Sequence, residues 1–196
     1  MNLSVILEAY LEKNALTYIH LSSETLELLN QNFQRVEIRK KDYLIHAGDK
    51  ELYLYFIESG ILRYWILDRH LQEITFAFAF AGEFANSYYS FCKDTKSEFD
   101  IQALTDCVIW KVNRNIIFDM FKTSLEINIL ARVVMENIFT KKIQREIELL
   151  KYTIEERYRI LIIRDKNMLK EIPLKYLASY LGSTPQSLSR IRKKIF

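Results

Sequence analysis

Gln186, Arg190 and the pair Lys193/Lys194 fall one and two helical turns apart near the end of the 196-residue sequence. Amide and guanidinium groups at that spacing can bond to planar donor–acceptor edges: Arg suits guanine O6/N7, and Gln suits adenine N6/N7. The residues before them set up such a face. Leu174, Leu177, Ala178 and Leu181 fall at i, i+3, i+4 and i+7, one apolar face of a two-turn helix that Pro173 can start. Gly182 suits the left-handed position that ends a helix. Ser183-Thr184-Pro185 then offers an N-cap hydroxyl and a first-turn proline for a second helix, with Leu188, Ile191 and Ile195 pointing inward. Two short helices across a glycine turn, with the second basic outside, match the layout that places a helix in the DNA major groove. Gln186 and Arg190 would face base edges, while Ser183, Thr184, Ser187, Arg192, Lys193 and Lys194 would grip phosphates. The competing possibility is an ordinary helical hairpin with a solvated basic face.

The charge balance weighs on the same side. The net charge is only +3, yet residues 1–112 carry −5 and residues 113–196 carry +8. Between 166 and 196 stand seven basic residues and one acid, Glu171. Such asymmetry favours contact with a polyanion.

Other chemistries find little support. An iron–sulfur cluster needs about four thiolates, and the chain has two cysteines, Cys92 and Cys107, expected as free thiols. His20, His46 and His70 are haem ligands by type only, and no His-x-His pair suggests a metal-dependent enzyme. No catalytic residue, metal or cofactor is expected. With 49% apolar residues the chain can bury a core. No window approaches the roughly 18 apolar residues of a membrane span. The N-terminus carries Glu8 and Glu12 and lacks a basic leader, so a cytoplasmic chain with no membrane contact is expected.

The supporting elements follow from periodicity. Residues 3–16 and 22–33 read as helices, the second capped by Ser22 or Ser23. From 35 to 112, short runs rich in Ile, Val, Tyr, Phe and Trp predict strands at 36–38, 43–45, 53–57, 61–67, 74–80, 101–104 and 108–112. A short helix is marked by Ile116, Ile117, Met120 and Phe121. A long one runs from about Leu125 to Leu150. Ile129, Val133, Glu136, Thr140, Ile143, Ile147, Leu150 and Ile154 step along it by four and three, the coiled-coil spacing. A second line runs through Leu130, Val134 and Ile138. The two lines suggest a partner helix and the chain's own barrel. Thr153 and Glu156 form a capping box that starts a new helix.

This order resembles the Crp/Fnr family of bacterial transcription regulators. The likeness rests on Tyr43-Leu44-Ile45-His46-Ala47-Gly48-Asp49, Leu54-Tyr55-Phe56-Ile57-Glu58-Ser59-Gly60, Gly82-Glu83-Phe84, Ile101-Gln102-Ala103 and Leu177–Lys194. It implies an α+β protein: a double-stranded β-helix (jelly roll) effector domain at 1–124, a long dimerisation helix at 125–152 and a helix-turn-helix domain at 153–196. It implies a homodimer on a pseudo-palindromic double-stranded DNA site, with RNA polymerase and a small-molecule effector as further partners.

The cyclic-nucleotide cassette of such proteins holds a phosphate with a Gly-Glu pair and an Arg-Ser pair. Here those positions fall on Asn86-Ser87 and Ser97-Glu98. The arginine is missing and Glu98 brings an anion, so cyclic AMP is not the expected effector. Only about seven residues, 166–172, stand where many members place a β-hairpin wing, and the sequence ends just past the second helix. Wing contacts with DNA are therefore not expected. The leading expectation is a regulator that binds DNA; the alternative is a sensor acting through a protein partner.

Overall fold

The computed structural model describes residues 2–14, 16, 18–164 and 168–195. Nine helices and eight strands are found among them: α1 (Leu3–Lys13), α2 (Ser23–Asn32), β1 (Gln34–Ile38), β2 (Tyr43–Ile45), β3 (Tyr53–Ser59), β4 (Ile61–Leu67), β5 (Glu73–Phe80), β6 (Phe84–Ala85), α3 (Tyr88–Lys93), β7 (Asp100–Ala103), β8 (Cys107–Asn113), α4 (Arg114–Thr123), α5 (Leu125–Lys151), α6 (Ile154–Arg164), α7 (Met168–Glu171), α8 (Leu174–Tyr180) and α9 (Pro185–Ile195). They divide into two compact units. The first runs to Arg63 and includes Phe78–Glu136; the second joins Tyr64–Ala77 to the residues from Asn137 onward.

The strands form two four-stranded sheets, ordered β1-β8-β3-β6 and β2-β7-β4-β5. These are the strand orders of a jelly roll. In the first sheet Val36 and Ile57 both stand opposite Ile109. Tyr53, Tyr55 and Ile57 alternate with Leu54 and Phe56, so the strand presents two different faces. Phe56 meets Phe84 and the edge of Tyr10 from α1 at ring separations of 4.8 and 6.0 Å. The other face carries Ile57 and Ile109, both fully buried.

The caps behave as their side chains dictate. Ser22 Oγ accepts the Thr25 N–H and so starts α2. Asn2 does the same for α1 through the Ser4 N–H. The first helix ends at Lys13 rather than 16, where the Asn14 side chain and backbone amides both reach Tyr10 O. Thr153 and Glu156 make the expected reciprocal pair, with Thr153 N–H to Glu156 Oε2 at 2.8 Å and Glu156 N–H to Thr153 Oγ1 at 3.3 Å. Three short elements, β6, α3 and α7, went unforeseen. Each is too short to show a period.

The apolar line expected along α5 is not one stripe. Val133 is buried in the first unit together with Ile127, Leu130 and Val134. Phe139, Ile143, Ile147 and Leu150 stand exposed, and Ile154 already belongs to α6. The spacing alone could not tell where a continuous helix changes the face it buries.

Gly60 joins β3 to β4 with φ +102°. A Cβ there would lie 2.5 Å from Cys107 Sγ and 2.8 Å from Asp106 O. Gly48 has φ +96° but open space around it. Gly60→Ala should therefore cost about 3 kcal/mol or more in urea unfolding, through strain plus overpacking. Gly48→Ala should cost only about 1–2 kcal/mol. Equal losses at the two positions would show that the close approach of Cys107 does not matter.

Candidate functional site

In the second unit α8 and α9 cross where Ala178 has no exposed surface, with Leu177, Leu181 and Leu188 at 1% or less. Tyr158 and Leu161 of α6 and Ile172 complete this core. The turn closes by a helix-terminating motif: Ser183 N–H donates to Ala178 O at 2.8 Å and Gly182 N–H to Ser179 O at 3.0 Å. Gly182 has φ +68°, the left-handed value that this motif requires. Thr184 Oγ1 accepts the Ser187 N–H at 3.2 Å and caps α9.

The structure gathers the predicted recognition residues on one element. Gln186, Arg190, Arg192, Lys193 and Lys194 are all exposed on α9, and none has an ion pair or side-chain hydrogen bond with another described residue. Thr184 works as a cap, and Ser183 and Ser187 are half-buried. Among the described residues no strand lies between α6 and α8; Lys166 and Asn167 of the expected 166–172 connection lie outside the described residues.

Other cations of this unit have a different task, which composition could not reveal. Arg157 donates to Tyr152 O at 2.7 Å, Leu149 O at 3.1 Å and Leu181 O at 2.9 Å. It thus neutralises carbonyls at the ends of α5 and α8. Arg145 lies 3.5 Å over the Tyr180 ring and donates to Tyr180 O. Burial pulls its guanidinium below the ordinary arginine value and pushes the Tyr180 phenol above its own. Ser179 Oγ accepts the Thr75 N–H at 2.9 Å and lies 3.4 Å from Glu73 O, so one hydroxyl pairs two polar groups of β5, an edge strand.

The cassette region of the first unit is also well defined. Ser87 and Ser97 are buried at 1% and 4% exposure, with their hydroxyl oxygens 2.8 Å apart. Asn86 Nδ2 is buried there without a hydrogen-bond partner. Glu98, expected as an anion in the pocket, is exposed instead. The buried carboxylate beside Ser87 belongs to Glu51, at 2% exposure. Its Oε2 accepts the Ser87 N–H and its Oε1 the Tyr53 N–H, both at 3.1 Å. Ser90 Oγ accepts the Glu51 N–H at 2.9 Å. Sequence reasoning missed Glu51 because the flanking Gly48, Asp49 and Lys50 have the look of a solvated turn.

Burial pushes the Glu51 carboxyl above the usual carboxylate value, against the amides of Ser87 and Tyr53 that favour its anion. The folded chain therefore keeps this proton at pH values where the unfolded chain has released it. Stability drains away as pH rises from the ordinary value of 4.5 through the raised one. In urea titrations wild type should lose stability relative to Glu51→Gln as pH rises across that window. A difference between the two that stays flat with pH would sink this account of Glu51.

Residues 35–124 match the model of the cyclic nucleotide-binding domain. No curated protein matches the chain. Among solved structures it is similar to FixK2 from Bradyrhizobium japonicum, with TM-score 0.73, 14% identity and coverage of 83% of this chain and 84% of that one. It is also similar to a protein from Eubacterium rectale assigned to the crp/fnr family of transcriptional regulators, with TM-score 0.69, 20% identity and coverage of 89% and 83%. A third is the c-di-GMP-responsive global regulator CLP from Xanthomonas campestris, with TM-score 0.65, 18% identity and coverage of 89% and 91%. Residues 35–124 thus match a cyclic nucleotide-binding domain, and the chain shares its fold with Crp/Fnr regulators.

Proposed function

We propose that this protein is a homodimeric, DNA-binding transcription regulator of the Crp/Fnr type whose cassette does not take cyclic AMP. The observation that carries the reading is the exposed face of α9. Its amide, guanidinium and ammonium groups have no partner among the described residues, while Arg145 and Arg157 of the same unit are spent on carbonyls. Unpaired cations of this kind suit the condensed counterion layer of a duplex, which they displace on binding. Gln186 and Arg190 are the candidates for base edges, and Lys193, Lys194 and Arg192 for phosphates.

Two copies would pair through α5. Ile143, Ile147 and Leu150 are 40%, 51% and 84% exposed at successive spacings of four and three, with Phe139 exposed at 64% one turn before them. That is a coiled-coil seam without its partner helix. The pairing would set the distance between two α9 helices, as a pseudo-palindromic site requires. Against cyclic AMP stands the absence of an arginine at Ser97, together with the buried Glu51 carboxyl on the Ser87 amide. A phosphodiester brought there would find no cation to answer its charge and the Ser87 amide already taken.

Selection of bound sites from random duplex DNA tests the reading directly. Arg190→Ala should relax base preference at one position per half-site, at a cost of about 1–3 kcal/mol on the preferred sequence. Lys194→Ala should weaken all sequences alike and lower the salt slope by about one. If the chain retains no sequence selectively, or if Arg190→Ala leaves the preference intact, the assignment of this face fails. Ile147→Glu should raise the dimer dissociation constant by about 100-fold in sedimentation equilibrium, because a charge would sit in the apolar seam. An unchanged constant would place the dimer contact elsewhere.

A further inference from the structure

The first unit holds a cavity of about 530 Å³ between strands of its two sheets, within the size range of small-molecule sites. None of Asn86, Ser87, Ser97 and Glu98 lines it, so it is separate from the place where a cyclic-nucleotide phosphate would sit. Its walls are mostly apolar, built from Val36 and Ile38 of β1, Ile45 of β2 and Ile109 of β8, with the rings of Tyr53 and Tyr55 beside them.

The polar groups at this cavity are unequal. Lys111 is half-buried, with Nζ 4.7 Å over the Tyr53 ring, and it has no carboxylate within ion-pair distance among the described residues. The other charges are committed or wet. Lys50 pairs with Asp94 at 3.2 Å, Asp49 is exposed, and both Glu51 oxygens accept backbone amides. The ionic function left for a guest is therefore one ammonium group beside an aromatic face.

We propose that this cavity binds a small hydrophobic monocarboxylate, with Lys111 as its counter-ion and the Val36, Ile38, Ile45 and Ile109 side chains around its apolar body. A single lysine offers one point charge, with no arginine fork or cradle of backbone amides to hold a phosphate. One ammonium group answers a monoanion, whereas a dianion would carry a second charge into the site without a counter-ion. An aromatic or branched aliphatic body gains by leaving water for these walls. Glu51 holds the Ser87 amide at the start of α3, so an occupant would touch the group that positions the cassette region.

Calorimetric titration of the full chain with phenylacetate and 4-methylpentanoate tests the site without any DNA. Phenylacetamide and benzylamine serve as neutral and cationic controls. Both acids should bind saturably at one site, and both controls at least about 10-fold more weakly. Lys111→Met should lower the affinity for the acids by about 10-fold or more, and Lys111→Arg should keep most of it. Ile38→Phe, which fills the cavity, should abolish binding in a chain whose near-ultraviolet circular dichroism is unchanged; the Lys111 pair and the amide control decide the matter should that variant fold poorly. The proposal is overturned if neither acid binds wild type at about 10 mM. It is equally overturned if phenylacetamide binds as tightly as phenylacetate, or if Lys111→Met binds the acids as wild type does.

Discussion

A carboxylate taken out of water must be answered by donors, and the first unit meets that demand at Glu51. The group sits at 2% exposure with an amide on each oxygen, one from Tyr53 at the start of β3 and one from Ser87 at the entrance to α3. Removing either donor would leave a buried anion short of partners, a cost of several kcal/mol. The loop before β3 and the segment before α3 are thus bound to one another by electrostatics more than by apolar contact. The same arrangement narrows what the region can bind. A site that already holds an acid favours guests whose own charge lies elsewhere, and the cassette has lost the arginine that would have changed the balance.

The second unit meets a different constraint, the close approach of two short helices. Neither α8 nor α9 is long enough to be stable by itself. Each depends on burying leucines, Leu177 and Leu181 from the first and Leu188 from the second, and the fully buried Ala178 brings only a methyl group to their contact. Gly182 lets the chain reverse without strain, and Arg157 supplies charge to the carbonyls that the reversal leaves open. A rigid turn of this kind fixes the orientation of α9. Base-edge recognition needs that orientation held to a fraction of an ångström.

How much of this was legible follows from where the physics is local. Caps and turns depend on a few adjacent residues, so Ser22, the Thr153/Glu156 pair and Gly182 could be assigned from their types and then found in place. Long periodic runs such as β3, β4 and α5 were legible for the same reason. What was not legible depends on residues far apart in the chain. Glu51 lies 36 positions from the Ser87 amide that it holds, and nothing in its neighbourhood signals burial. Arg157 looked like any other base until the carbonyls 5 and 24 positions away were seen to need it. Along α5 the pattern gave the helix but could not give the point near Glu136 where its buried face ends, because Val133 and Ile143 obey the same spacing.

That distinction bears on how a basic segment should be weighed. The net charge of +8 over residues 113–196 treats every lysine and arginine as equivalent. The structure sorts them by what they already touch. Arg157 and Arg145 are held by carbonyls, while Arg132, Arg159 and Arg164 sit in ion pairs with Glu136, Glu155 and Glu148. A cation in such a pair must give up its partner before it can take a phosphate, so it adds less to attraction than its charge suggests. Among the described residues the cations on α9 face no such exchange. Their charge is fully available to an incoming polyanion, and the arginines bound elsewhere hold the helices that present it. Total charge therefore overstates the attractive surface, and the location of the unpaired cations is the stronger argument for α9 as the contact face.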